Sequence, residues 1–262
     1  MVESPTDKLK LEQHDNTLVV TINNPPANTW DQESLNGLGD VVRAADADKD
    51  IYALVMVGAG EKFFSAGADL NLFADGDKGV ARTMADHFGR AFETLAAFRG
   101  VSIAAINGFA MGGGLECALA CDIRIAEEHA KMALPEATVG LLPCGGGTQN
   151  LAWTVGEGWA KRMILCGERV GAEQARAIGL VEEVVASGEA LAQALDLAAA
   201  VGKQSPPAVA ACKGLIQEAR AGNITAAYSV ERDRFVDLFD TNDQAEGVNA
   251  FLEKRPPQWT NT

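Results

Sequence analysis

Three continuous apolar runs, each stopped by glycine or proline, punctuate the first part of the chain. NTLVVTINNPP predicts a strand over Leu18–Ile22, ended by Asn23, Asn24, Pro25 and Pro26. IYALVMVGAG predicts a second that stops at Gly58 and Gly60, and VSIAAING a third of the same shape. Runs that are apolar throughout, rather than alternating, fit strands covered on both faces, as in α/β proteins. Between the second and third, ARTMADHFGRAFETLAAF sets Met84, Phe88, Phe92, Leu95 and Phe98 at helical spacing. Shorter units follow Gly108: DIRIAEE, AKMALPEATVGLLP, and helices around GWAKRMILCG and GAEQARAIGL. From about Glu189 the pattern is helical. EALAQALDLAAAVGKQSPP is broken by Ser205, Pro206 and Pro207, and AVAACKGLIQEAR, TAAYSVERDRFVDLF and NDQAEGVNAFLEKR come after it. This predicts an α/β core over residues 1–204 and a helical C-terminal region over 205–262, with no repeat or low-complexity linker.

Composition narrows the reading. At 262 residues and 47% hydrophobic content the chain can build one large core with a small appendage. Its formal net charge of −14, spread without blocks of like charge, argues against non-specific nucleic-acid binding, which needs a basic footprint. The opening MVESPTDKLKLEQHDN lacks the features of a signal or transit peptide, and no run approaches the ~18 apolar residues of a membrane span. A cytoplasmic protein without membrane partners is expected. Five cysteines (Cys117, Cys121, Cys144, Cys166 and Cys212) fit reduced, mostly buried thiols. With three histidines and no CxxC, HExxH or Cys/His cluster, no metal site is expected. His14, His87 and His129 read as surface groups. GAGEK lacks the GK[ST] ending of a phosphate loop, GxGxxG and GxSxG are absent, and Ser65 has no evident base.

The chemistry concentrates at glycine turns. GFAMGGGLECALACD places Glu116 just past three glycines and among Leu115, Cys117, Ala118 and Leu119. A carboxylate there is costly unless paired, neutralised or used. FFSAGADL, after the second strand, supplies another glycine turn. Backbone N–H groups from two such turns can converge on one oxygen and stabilise charge developing on a carbonyl; tight turns alone would also account for the glycines. A second carboxylate, Glu136, stands after Pro135 in MALPEATVGLLPCGGGTQN. Pro-Glu is an ordinary helix start, yet two carboxylates beside glycine turns also form a candidate acid–base pair.

FSAGADL, AAINGFAMGGGLECALACDIRIA and LPEATVGLLPCGGGTQ, in that order and spacing, resemble the enoyl-CoA hydratase/isomerase (crotonase) family. The resemblance runs from NNPPANTW to GVNAFLEKR, nearly the whole chain. It implies a crotonase-like α/β spiral of ββα units, with a C-terminal helical region that drives assembly into a homotrimer or homohexamer. It implies an acyl-CoA thioester substrate, with coenzyme A as part of the substrate and no further cofactor. The thioester enolate would lie between the N–H groups of Ala68 and Gly113. Ala27 and Ala66, and the wall Asp69, Leu70 and Asn71, match positions that meet coenzyme A. Glu116 would position and deprotonate water and Glu136 would protonate C2. Phe251 and Lys254 match positions that reach a neighbouring subunit's coenzyme A.

Departures bear on acyl preference. Cys144 and Asn150 stand where many relatives have the glycine and arginine of PGAGGTQRL; Cys144 keeps the N–H that often helps to hold the water. Leu134 replaces a frequent glutamine, and Pro26 a lysine. The implied reaction is reversible syn addition of water to a trans-2-enoyl-CoA, giving a 3-hydroxyacyl-CoA. The alternatives are a double-bond isomerase, which typically needs only the Pro-Glu carboxylate, a hydratase for a branched or heteroatom-bearing substrate, and an RNA-binding or scaffolding role.

Overall fold

The structure, a computed structural model, describes residues 2–220, 222 and 224–262, with side chains omitted for 224–226. The chain opens with strands β1 (Leu9–His14) and β2 (Thr17–Ile22), helix α1 (Gln32–Ala47), strands β3 (Ala53–Gly58) and β4 (Phe63–Ser65), and helix α2 (Lys78–Ala96). Then come β5 (Val101–Ile106), β6 (Phe109–Met111), α3 (Gly113–Ala120), β7 (Ile123–Glu127), β8 (Lys131–Ala133) and α4 (Gly147–Leu165). The chain continues through β9 (Val170–Gly171), α5 (Ala172–Ala177), β10 (Glu183–Val185) and α6 (Ala190–Val201). It closes with α7 (Pro206–Glu218), α8 (Ile224–Asp237) and α9 (Asn242–Glu253).

Successive strand pairs divide between two sheets. β3, β5 and β7 enter a six-stranded sheet ordered β1-β2-β3-β5-β7-β10, parallel except for the β1–β2 hairpin. Their followers β4, β6 and β8 enter a small sheet ordered β4-β6-β8-β9. A helix follows each pair, and the repetition winds the ββα spiral.

The continuous apolar runs have their cause in this layering. One face of the large sheet packs with α1, α2 and α3 on the main core, which includes Trp30, Phe88, Phe92 and Phe98. The other face, including Val19, Val55, Ile103 and Ile125, is covered by Ala190, Ala194 and Ala198 of α6. Helix α6 therefore packs with the core. Helix α7 is pinned to it by Lys213, whose ammonium donates to the carbonyls of Phe98 (2.6 Å) and Gly100 (3.0 Å) and pairs with Asp122 (2.7 Å).

β1 and α1 are among the elements that the pattern leaves unread. β1 is an edge strand in which only Leu9 is buried. α1 is announced by Asp31, whose side chain accepts from Ser34 N–H while the Ser34 hydroxyl receives the Asp31 N–H, a capping box made with serine instead of Glu or Gln. The expectation of mostly buried thiols needs correction. Cys117 and Cys121 are buried, but Cys144, Cys166 and Cys212 are exposed, because they lie at a loop, a helix end and the outer face of α7.

Candidate active site

The three glycines bring a helix start against a strand. Gly112, at φ +51°, caps α3 in a conformation that L side chains rarely adopt. At Gly114, a Cβ would lie 2.2 Å from the Ser65 carbonyl oxygen, so only glycine lets α3 approach β4 this closely. The helix that follows is buried along its whole length, Glu116 included at 2% exposure.

Glu116 is clamped on one side. Its Oε1 accepts from Gly145 N–H (2.7 Å) and Gly147 N–H (2.8 Å), whereas Oε2 makes no protein hydrogen bond among the described residues. Burial raises its pKa above the usual carboxylate value, and the two N–H donors oppose the rise by favouring the anion. The outcome is a fixed carboxylate with one oxygen left for a reacting group.

Glu136 opens a short 3-10 turn, Glu136–Val139, directly after Pro135. Burial, reinforced by the Glu116 charge and opposed by its own backbone N–H, pushes its pKa up to about 7. Its Oε2 is buried without a hydrogen-bond partner. A Cβ on Gly112 would come within 3.2 Å of its Oε1, which places this carboxyl at the mouth of the glycine turn. A carboxyl half-protonated near neutrality is suited to giving a proton.

The loop after β4 is held to Trp30 by Trp30 N–H to Gly67 O (2.8 Å) and Asp69 N–H to Trp30 O (3.1 Å), which skips Ala68. Among the described residues, neither the Ala68 N–H nor the Gly113 N–H, the first of α3, donates to a protein acceptor. Both residues line one cavity of about 290 Å³ together with Ala66, Leu70, Glu116, Glu136 and Cys144. The Cys144 thiol is pushed up to about 11 by partial desolvation and by both carboxylates, which keeps it protonated.

The remaining expected residues lie off this cavity. Ala27 supports it from behind, its carbonyl receiving Ala66 N–H at 2.9 Å, and the Asp69 side chain caps Asn71. Phe251 and Lys254 sit at the end of α9, with Phe251 82% exposed. Sequence reasoning missed Phe73, Val139, Leu141, Leu142 and Arg169 as lining residues, and took Phe88 for core alone. Phe88 does both, since its helical stripe carries it beneath Gly113. No group of side chains suited to holding a metal ion occurs among the described residues.

Two carboxylates of different exposure and two backbone N–H groups without a protein acceptor among the described residues line one cavity, an arrangement suited to moving protons beside a polarised carbonyl. The chain matches the family described as Enoyl-CoA hydratase/isomerase over residues 12–262, and it belongs to that family. It is 39% identical to the 2,3-dehydroadipyl-CoA hydratase of Escherichia coli (strain K12), an alignment covering 96% of this chain and 98% of the relative. Among solved structures, Pseudomonas aeruginosa DspI superposes with a TM-score of 0.95 at 67% identity, covering 97% of each chain. The enoyl-CoA hydratase of Bacillus anthracis superposes with a TM-score of 0.94 at 31% identity, covering 98% of this chain and all of the other.

Proposed function

We propose that this protein is an enoyl-CoA hydratase that adds water reversibly and syn across a trans-2-enoyl-CoA, giving a 3-hydroxyacyl-CoA. The observation that carries the reading is the pairing of the one-side clamp on Glu116 with the raised pKa of Glu136 in a single cavity. Glu116 Oε2 takes a proton from water as the water oxygen bonds to C3. The C2–C3 π electrons move toward the thioester, whose oxygen becomes an enolate held by Ala68 and Gly113 N–H. The α3 N-terminus adds its partial positive charge there. Glu136 then gives its proton to C2. At the end Glu116 carries the proton taken from water and Glu136 is ionised, and exchange with solvent restores both.

A double-bond isomerase needs no fixed water base, and the Glu116 clamp argues against that alternative. Ala27, Ala66, Asp69, Leu70 and Asn71 are proposed to meet coenzyme A, and the Cys144 N–H to help hold the water. The apolar side chains exposed on α8, α9 and the 3-10 turn Leu238–Asp240 between them, among them Phe235, Phe239, Phe251 and Leu252, support assembly into a trimer or hexamer. In that assembly Phe251 and Lys254 would serve a neighbouring subunit's coenzyme A. No helix among the described residues is long and apolar enough to cross a membrane; we place the protein in the cytoplasm, in fatty acid metabolism. The deciding experiment is steady-state loss of enoyl-thioester absorbance on a panel of enoyl-CoAs. Turnover is expected, and none on any member would sink the reading.

A further inference from the structure

The cavity is not apolar by accident of depth. Val139, Leu141 and Leu142 are 54%, 42% and 69% exposed, and all three line it. They lie on the same short stretch as Glu136, kept in place by Leu141 N–H to Glu136 O (3.0 Å) and by the left-handed turn at Gly140 (φ +76°). Phe73, at the end of the 3-10 turn Leu70–Phe73, lines the same cavity and packs partly on the core. Bulky apolar side chains left in water are unfavourable, and a cluster of them continuous with a reaction site marks a surface that something apolar covers.

The reaction geometry identifies the occupant. The free N–H groups place C1, and the two carboxylates bracket C2 and C3. Carbons from C4 onward carry no polar group and must leave along whatever wall lacks polar atoms. A crotonyl group ends at C4 and leaves the exposed apolar side chains of Val139, Leu141 and Leu142 without an apolar partner.

We propose that Phe73, Val139, Leu141 and Leu142 form an acyl-tail groove that selects linear enoyl chains of medium and greater length over crotonyl. This rests on the hydratase reading. Each methylene laid on the groove is worth up to about fourfold in affinity.

The test compares crotonyl-, trans-2-hexenoyl-, trans-2-octenoyl- and trans-2-decenoyl-CoA on the purified full chain. The octenoyl to crotonyl ratio of kcat/KM is expected to reach about tenfold or more. The paired change Leu141→Ser and Leu142→Ser should lower that ratio by about tenfold, chiefly through KM, while Leu142→Met retains it. Calorimetric binding of saturated octanoyl-CoA against butyryl-CoA should show the same preference and the same loss. A flat or crotonyl-favouring parent overturns the proposal, as does a ratio that survives the double substitution. If no enoyl-CoA is consumed, the hydratase reading fails, and the calorimetric preference still decides whether the groove holds an acyl tail.

Discussion

Glu116 and Glu136 face one cavity from opposite kinds of ground. Glu116 rides on a helix buried end to end, and two backbone donors fix one of its oxygens. Glu136 stands on a four-residue turn with exposed neighbours, and no donor reaches its Oε2. The two share burial as the chief cause of a raised pKa, but only Glu116 has donors that stabilise its anion from other elements. A fold can thus give the same residue type two different proton affinities by changing what surrounds it, as the proposed base and acid require.

The contrast breaks first under substitution of the carboxylates themselves. Glu116→Gln and Glu136→Gln should each lower kcat by at least ~10²-fold on a substrate that the parent turns over. They should differ in a second reaction, exchange of the C2 proton of a bound saturated acyl-CoA with heavy water, followed by NMR. Glu136→Gln should suppress this exchange, and Glu116→Gln should leave more of it, because the enolate can still form against Ala68 and Gly113. The opposite pattern would reverse the two roles.

The grounds themselves can be probed with one methyl group each. Gly114→Ala drives a Cβ to 2.2 Å from a backbone carbonyl and should cost about 3 kcal/mol or more, read from the urea midpoint. Gly140→Ala, beside Glu136, meets nothing within 4 Å and has only its φ of +76° to contend with, so about 1 kcal/mol is expected. Equal losses would mean that the two sites are equally constrained.

Cys144 reports on the charge the pair shares. With its thiol raised from 9.0 to about 11, alkylation by iodoacetamide at neutral pH should run about a hundredfold slower than for an ordinary thiol. The double Gln variant should react faster, and peptide mass spectrometry distinguishes Cys144 from the exposed Cys166 and Cys212. An unaltered rate in that variant would remove the carboxylates as a cause.

The raised pKa of Glu136 also makes stability depend on pH. Glu136 has its pKa raised from 4.5 to about 7, so the fold favours its neutral form. That contribution is complete below pH 4.5 and is lost as pH rises through about 7. Glu136→Gln should therefore match the parent near pH 4 and exceed it at pH 8, by about 1–2 kcal/mol once solvent screening is allowed for. Equal stability at both pH values would mean that the carboxyl ionises as freely in the fold as in the unfolded chain.

Much of this was legible before any coordinates. β2, β3 and β5 announce themselves because both faces of the sheet are covered, and α2 because its stripe is aromatic. Glu116 stood out because an acid in an apolar run after three glycines has few inexpensive explanations. Leu141 and Leu142 were not legible as cavity wall, since an exposed leucine in a loop looks the same whether it faces solvent or a ligand. Arg169 was equally silent: 33 residues after Glu136 in the chain, it reaches the cavity only through the return of β9 to the small sheet. Contacts that depend on sheet closure leave no local period to read.

Lys213 gives the architecture a timetable. Asp122, which it neutralises, also accepts from the Ser102 N–H and hydroxyl, so this carboxylate holds the ends of β5 and β7 together. The two charges are 91 residues apart in the chain. At the ~5–20 residues per second of synthesis, the ribosome takes roughly 5–18 s to travel that distance. Throughout that interval the nascent chain carries the acid of this junction without the cation that pairs with it in the finished fold.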